Sequence, residues 1–435
     1  MNWNVIVRIG ENDNFYPAEI RNEPRIFVDF HRQNSPWSMR EHVLKVFIKE
    51  RIITSVAYDL LVVGMAITAA DRCIHRKYAD DYWQREITIY LPVGDPNIWD
   101  NAKEILIKAL NFLSGDIWNF HFRKRLITIP SNIGLKGTND ICLFSGGLDS
   151  LIGAIDLLSE GKNITFAGHY SNGITHSFQT SLKTELEKYF PGQSKFNFHY
   201  ITPPKIKGCI YENTTRTRSF LFFSLATAYA SASQARVKLF VPENGLISLN
   251  VPMTKSRSGS LSTKTTHPYV IQLFTDLLNN IGINLEIITP YKFKTKGEML
   301  LECKNKDIIK KLAPYSMSCS HPEQSRFAKL PPRIHCGRCL PCLIRRAAFF
   351  KANIPDTYYL VDVLSNPPNP ANESGSDYRA VMMGLAHFIN NNPTNDLFKV
   401  ISTGPIPQGE ISRFVEVYRR GMTELSEFLL GKVRK

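Results

Sequence analysis

The chain has 435 residues, too long for one ordinary hydrophobic core, so about two or three domains are expected. With 43% hydrophobic and 21% charged residues its composition is globular, which excludes disordered and fibrous classes. Lys and Arg total 53 against 39 Asp and Glu, and the resulting +14 favours an anionic partner; because the basic residues are dispersed, nucleic acid is the less favoured of these.

The opening MNWNVIVRIGEND lacks the basic-then-apolar layout of a secretion signal. Apolar residues recur at every second position in Trp3, Val5, Val7 and Ile9, in Ile87, Ile89 and Leu91, and in Trp118, Phe120 and Phe122, which predicts strands with one buried face. The apolar run at 52–70 predicts a helix that covers them. Asp59 lies near its centre, and a charge at mid-bilayer costs roughly 2.5–3.5 kcal/mol, so the run reads as a buried helix rather than a membrane span. Residues 1–135 are therefore expected to form an N-terminal α+β domain of a cytoplasmic protein with no membrane contact.

From Asp140 the pattern changes. Short apolar segments at 141–144, 164–167, 196–201, 239–241 and 285–289 read as strands, separated by helical segments at 151–160, 178–189, 219–234 and 269–281. Strands alternating with helices predict an α/β domain with a doubly wound parallel sheet over 136–315, and such sheets bind ligands beyond the carboxyl ends of their strands. A Pro/Asn/Ser-rich stretch at 364–376 reads as an exposed linker or ordered loop. Helical patterns at 378–390 and 411–430 follow, making 361–435 a C-terminal helical extension.

Leu143, Phe144, Ser145, Gly146, Gly147, Leu148, Asp149 and Ser150 read LFSGGLDS between the first of these strands and its helix. A Gly-rich turn there offers backbone N–H groups and the positive helix end to an anion, and glycine lets a phosphate approach the backbone. Ser145 and Ser150 add hydroxyls, while Asp149 suits a helix cap, an orienting partner or Mg²⁺. These residues alone leave a phosphate cradle and an ordinary capped turn both open. No GxxxxGK[ST] occurs, which disfavours a Walker-type nucleotide site.

Four of the eight cysteines are concentrated in one region: Cys319, then Cys336, Cys339 and Cys342 in CGRCLPC. This spacing suits a closed tetrahedral Zn²⁺ site in a segment spanning 316–360, with an iron–sulfur cluster as the competing occupant. His321 and His335 lie close enough in sequence to replace one thiolate. Cys73, Cys142, Cys209 and Cys303 read as small core residues.

SGGLDS resembles the SGGxDS pyrophosphate loop of the PP-loop ATP pyrophosphatases. The order of this loop, then Cys…CGRCLPC and a helix at 343–350, resembles QueC, the 7-cyano-7-deazaguanine synthases, as do an Arg-led helix at 216–230 and TPYKFKTKGE at 289–298. The resemblance spans roughly residues 138–350, and the added N-terminal unit makes the chain similar to the QueC-like component, QatC, of the Qat anti-phage defence system. It implies a sheet of the PP-loop (adenine nucleotide alpha hydrolase-like) type, with ATP on residues 143–150, and Asp149, Arg218 and Lys296 as catalytic and phosphate-binding groups. Mg²⁺ and Zn²⁺ are the implied metals.

The implied reaction adenylates a 7-carboxy-7-deazaguanine-type carboxylate. An amide with ammonia or a partner-protein amine follows, or a nitrile, with release of AMP and pyrophosphate. The chain departs from the family where the deazapurine pocket would lie, which reads ENGLISLN at 243–250 and THP at 266–268. Glu243, Asn244 and His267 are the candidate substrate residues there, and His176, after the second strand where the family has a His, is a fourth. Other proteins of a defence operon are the implied partners. A non-catalytic nucleotide-binding assembly subunit and a tRNA-modifying PP-loop enzyme remain the alternatives.

Overall fold

Two largely parallel sheets organise the computed structural model, which describes residues 1–130, 139–231, 233, 235–254, 263–330, 334–390 and 392–431. The N-terminal part contains β1 (Asn2–Ile9), β2 (Arg25–Phe30), the two-residue β3 (Arg40–Glu41), α1 (Val43–Glu50), α2 (Ser55–Cys73), β4 (Glu86–Val93), α3 (Pro96–Ser114) and β5 (Ile117–Lys124). Four of these strands pair in the order β2-β1-β4-β5, every pair parallel. Parallel neighbours require crossover connections, so this unit is α/β and the expected α+β arrangement is corrected. The alternation of apolar residues suggested one buried face, yet Val5, Ile6 and Val7 are all fully buried. Phe15 and Ile20 of the loop after β1 pack on Ile6 and Tyr90 and close the second face.

Helix α2 is the buried helix that the apolar run predicts. Its Asp59 pairs with Arg125 and accepts the Gly94 N–H at 2.7 Å. Burial raises the Asp59 carboxyl to about 6, and Arg125 opposes that rise. Among the described residues no helix is long and apolar enough to cross a membrane.

The second sheet follows with β6 (Asp140–Leu143), α4 (Leu148–Ser159), β7 (Ile164–Tyr170), α5 (Gly173–Tyr189), β8 (Ser194–Thr202), α6 (Arg218–Ala230), β9 (Val237–Phe240), α7 (Gly245–Leu249), α8 (Pro268–Asn280) and β10 (Leu285–Ile288). The strand order is β10-β9-β6-β7-β8-β3. Its five long-connected strands are parallel, and β3 joins the edge antiparallel, with Arg40 opposite Thr202. Taken in chain order, β6 has its successor β7 on one side and the later β9 on the other. The strand order therefore reverses beside β6, where open α/β sheets hold their ligands.

Beyond the sheet run α9 (Lys296–Glu302), α10 (Lys306–Leu312), α11 (Gln324–Phe327), α12 (Leu340–Ala352), α13 (Ser376–Asn390), α14 (Thr394–Ile401) and α15 (Ile411–Leu430). One apolar core joins α2, α3 and the N-terminal sheet to α6, α8 and one face of the second sheet. A separate core covers the opposite face with α4, α9, α10 and α12. The N-terminal unit is thus continuous with the second sheet, through the shared core and through β3. The expected domain boundary at 135/136 falls within 131–138, outside the described residues, as does most of the Ser/Lys/Arg-rich 254–264 stretch.

Candidate functional site

The LFSGGLDS segment forms the turn from β6 into α4. Gly146 has φ +83°, a left-handed conformation that favours glycine, and an added Cβ would lie 3.3 Å from the Gln179 backbone nitrogen. The N–H of Gly147 donates to Ser145 Oγ at 3.3 Å and that of Leu148 to Ser318 Oγ at 3.4 Å. Both bonds are long, so the two donors at the start of α4 are weakly held and can turn to an anion. Ser150 Oγ donates to Gly147 O at 2.9 Å and lies 3.3 Å from Ser145 Oγ.

This loop borders a cleft of about 1220 Å³. Leu143, Ser145, Gly147, Leu148, Asp149 and Ser150 line it, and Lys296, Arg218 and Glu243 face the same space. Phe144 is instead a core residue, fully buried with its ring centroid 5.6 Å from that of Phe166. Gly146 serves the turn rather than the wall.

Asp149, in the first turn of α4, pairs with Lys296, the first residue of α9. It also accepts from the Asn244 side-chain amide at 2.6 Å and from the Asn244 N–H at 3.2 Å. Asn244 is fully buried and caps α7 through Ile247 N–H at 3.0 Å, so it positions Asp149 rather than lining the cleft. The strands β6 and β9, adjacent at the reversal, place these two residues together although they are 95 apart in sequence.

Glu243, directly before Asn244, accepts from the hydroxyls of Thr266 and Thr265. Burial raises its carboxyl to about 7; the Thr266 hydroxyl opposes this and the nearby Asp149 charge adds to it. A carboxyl that titrates near neutrality on a cleft wall can take or give a proton there.

Arg218 opens α6, its guanidinium 5.3 Å from the Phe222 ring centroid. Its Nε is buried without a hydrogen-bond partner among the described residues. Burial lowers its pKa, the direction expected for a cation taken out of water.

Neither candidate substrate histidine is among the residues that line the cleft. His176 sits on α5 with its ring stacked on Tyr170 at 4.2 Å, next to the lining residue Thr175. His267 is fully buried as the N-cap of α8, accepting the Tyr269 N–H at 3.2 Å through Nδ1 and lying 3.0 Å from Thr403 Oγ1 through Nε2. Burial holds it near 3, so it is a neutral structural cap.

Cys319, Cys336, Cys339 and Cys342 converge, their sulfurs all within 4.8 Å of one another, in a group that could hold a metal such as zinc. Among the described residues it is the one group of three or more His, Cys, Asp or Glu so placed. Cys319–Cys339 and Cys336–Cys342 sulfurs are 3.9 and 3.8 Å apart. Thiolates about 2.3 Å from a tetrahedral Zn²⁺ lie about 3.8 Å from each other, so the spacing fits. Backbone N–H groups of His321, Cys336 and Cys339 point at these sulfurs at 3.2 to 3.4 Å, which favours the thiolate form.

Neither nearby histidine joins the group. The His321 side chain is exposed, and the fully buried His335 accepts the Ser318 N–H at 3.3 Å through Nε2. Cys73, Cys142 and Cys303 are buried and Cys209 partly so, as small core residues would be.

The metal-type group adjoins the loop. Met317 N–H donates to Gly146 O at 2.9 Å, Ser318 bonds Leu148, and Cys319 follows directly. Fully buried Arg345 of α12 fixes this segment through Ser316 Oγ at 2.8 Å, Ala313 O at 2.9 Å and Asp356 at 2.9 Å.

Sequence reasoning missed the bracing from the C-terminal helix. Thr295 and Glu298 form a capping box at the start of α9, Arg420 donates to Glu298 at 2.6 Å, and Glu424 accepts the Thr295 hydroxyl. An added Cβ at Gly297 would lie 2.7 Å from the Glu424 carboxylate, so the glycine of TKGE admits that contact. The only sequence signal is a Glu at an inward position among Tyr418, Met422 and Leu425. Arg40 and Arg72, also on the cleft wall, come from the N-terminal unit and carry no motif.

Comparison with family models, with curated proteins and with solved structures finds no match to this chain.

Proposed function

We propose that the chain is an ATP-dependent adenylating enzyme of the PP-loop type, similar to QueC, acting in a QatC-like role in anti-phage defence. The observation that carries this reading is the Ser145–Ser150 turn at the strand-order reversal, facing one cleft with Lys296 and with Arg218, whose Nε has no hydrogen-bond partner among the described residues. In it, the loop N–H groups and Arg218 receive the phosphates of ATP, and Lys296, held by Asp149, offsets charge that builds as the α-phosphate is attacked. A deazapurine carboxylate oxygen bonds the α-phosphorus while the bond to pyrophosphate breaks, giving an acyl-adenylate. An amine, from ammonia or a partner protein, then bonds the acyl carbon, AMP leaves, and Glu243 takes the proton the amine loses.

Asp149 would border a Mg²⁺ brought by the nucleotide, and that ion would supply charge neutralisation. The four thiolates are assigned to one structural zinc ion; a multi-iron cluster would spread the sulfurs beyond the 4.8 Å within which they lie. Four thiolates leave no open position for chemistry.

The test is incubation with ATP, Mg²⁺ and 7-carboxy-7-deazaguanine, with ammonia or a neighbouring-gene protein as acceptor, followed by AMP assay and intact-mass analysis. AMP release and an added acyl mass on the acceptor are expected, and Lys296→Gln should slow release about 100-fold or more. AMP release under none of these conditions would remove the ligase reading in favour of a non-catalytic nucleotide-binding subunit.

A further inference from the structure

The cleft has a second cationic element, supplied by the N-terminal unit. Arg72 lies in the last turn of α2, which packs along α6, and Arg218 is the first residue of α6. Both line the cleft. The Nε atoms of both are buried without a hydrogen-bond partner, and neither guanidinium has a carboxylate within 4.0 Å, among the described residues.

The neighbouring carboxylate is committed elsewhere. Asp71 pairs with Arg85 at 2.6 Å and accepts the hydroxyls of Thr217 at 2.9 Å and Thr214 at 3.2 Å. It thereby ties the turn before Arg218 to the end of α2 and fixes one arginine relative to the other. Glu212 N–H, bonded to Arg72 O at 2.7 Å, fastens the same join.

Beneath them lies His169, buried, its Nε2 3.2 Å from Ile201 O. Burial and then the charges of Arg218 and Arg72 hold it near 3, so it stays neutral and both arginines are close to it. Arg40 and Lys205 line the same cleft and add to the positive field. Partly buried guanidinium groups without a counter-charge are costly, and a bound anion offsets that cost.

We propose that Arg72, sharing Arg218 with the nucleotide site, forms a second anion-binding position in the cleft beside the Ser145–Ser150 turn, which takes a carboxylate or phosphate group of a reactant. The site exists only because the N-terminal unit packs over the second sheet. Its identification with a substrate carboxylate rests on the adenylation reading; the anion site itself does not.

Calorimetric titration with three separate probes tests this: inorganic pyrophosphate, ATP, and 7-carboxy-7-deazaguanine. Arg72→Gln should weaken at least one probe about tenfold or more, the loss expected for a charge-assisted hydrogen bond, with an unchanged melting temperature. Weakened pyrophosphate and ATP binding assigns phosphate, and weakened binding of the deazaguanine carboxylate alone assigns carboxylate. Arg72→Lys, which keeps the charge without the fork, should lose less, and it carries the test if Arg72→Gln does not fold.

Unchanged affinity for all three probes in a folded Arg72 variant overturns the proposal, as does wild-type protein that binds none of them. Lys296→Gln separates this result from the nucleotide reading. Loss of ATP affinity there, with none in Arg72→Gln for any probe, keeps the nucleotide reading and removes the second site. Carboxylate binding that depends on Arg72 in a protein that binds no ATP does the reverse.

Discussion

Glu424 illustrates how single residues far from any motif govern the site. It is 6% exposed, and burial raises its carboxyl to about 7, opposed by the Thr295 hydroxyl and the Gly297 N–H and reinforced by the Glu298 charge. A carboxyl raised in the folded state stabilises the fold below its unfolded value near 4.5, and that contribution is lost as pH rises through 7. Glu424→Gln keeps an acceptor for Thr295 and removes the charge. Its melting temperature should therefore exceed that of wild type at pH 8 and lose the decline between pH 5 and 8, a gain of roughly 1–3 kcal/mol. A wild-type pH profile retained in Glu424→Gln would show that another group controls it. Asp149 sits in a short local pattern, whereas Arg218 and Lys296 stood out only through the family resemblance; the fold brings all three to one cleft. Asn244 was legible as a candidate, but its role as the partner of Asp149 depends on the β6–β9 pairing.

The elements divide in the same way. Strands β6 to β10, four to nine residues long, and the helices between them were readable because short apolar segments alternate with helical periodicity. Strand β3, two residues reading Arg-Glu, has no pattern of its own, and only the edge of β8 makes it a strand. The cysteine segment was readable from spacing, yet its contact with the loop was not, since the Met317–Gly146 bond joins positions far apart in sequence. That bond makes a measurable link. Cys319→Ser, or removal of metal by a chelator, should lower the melting temperature by about 5 °C or more and also weaken ATP binding, because the segment that holds Gly146 and Leu148 is released. Metal analysis of the purified protein should find about one zinc per chain; unchanged melting and no bound metal would show the cysteines to be an ordinary buried cluster.

For the whole molecule, the decisive feature is the core shared by α2, α3, α6 and α8. A chain beginning at residue 139 would expose the inner faces of α6 and α8 and lose β3 from the outer edge of β8, so it should aggregate or remain unfolded, and an N-terminal fragment ending at 130 should do the same. Soluble, cooperatively melting fragments, measured by circular dichroism and gel filtration, would refute that continuity. By itself the sequence determined the α/β rhythm after Asp140, the loop and its helix, and the metal-type cysteines, because these depend on residues adjacent or a few positions apart. The tertiary structure alone decided that the N-terminal unit is a parallel sheet rather than an α+β one. It also made His267 a buried helix cap, and brought Arg72, Glu424 and Arg420 to the cleft and its support. Each of those outcomes depends on which strands and helices become neighbours, a choice made by long-range burial and pairing that no local pattern encodes.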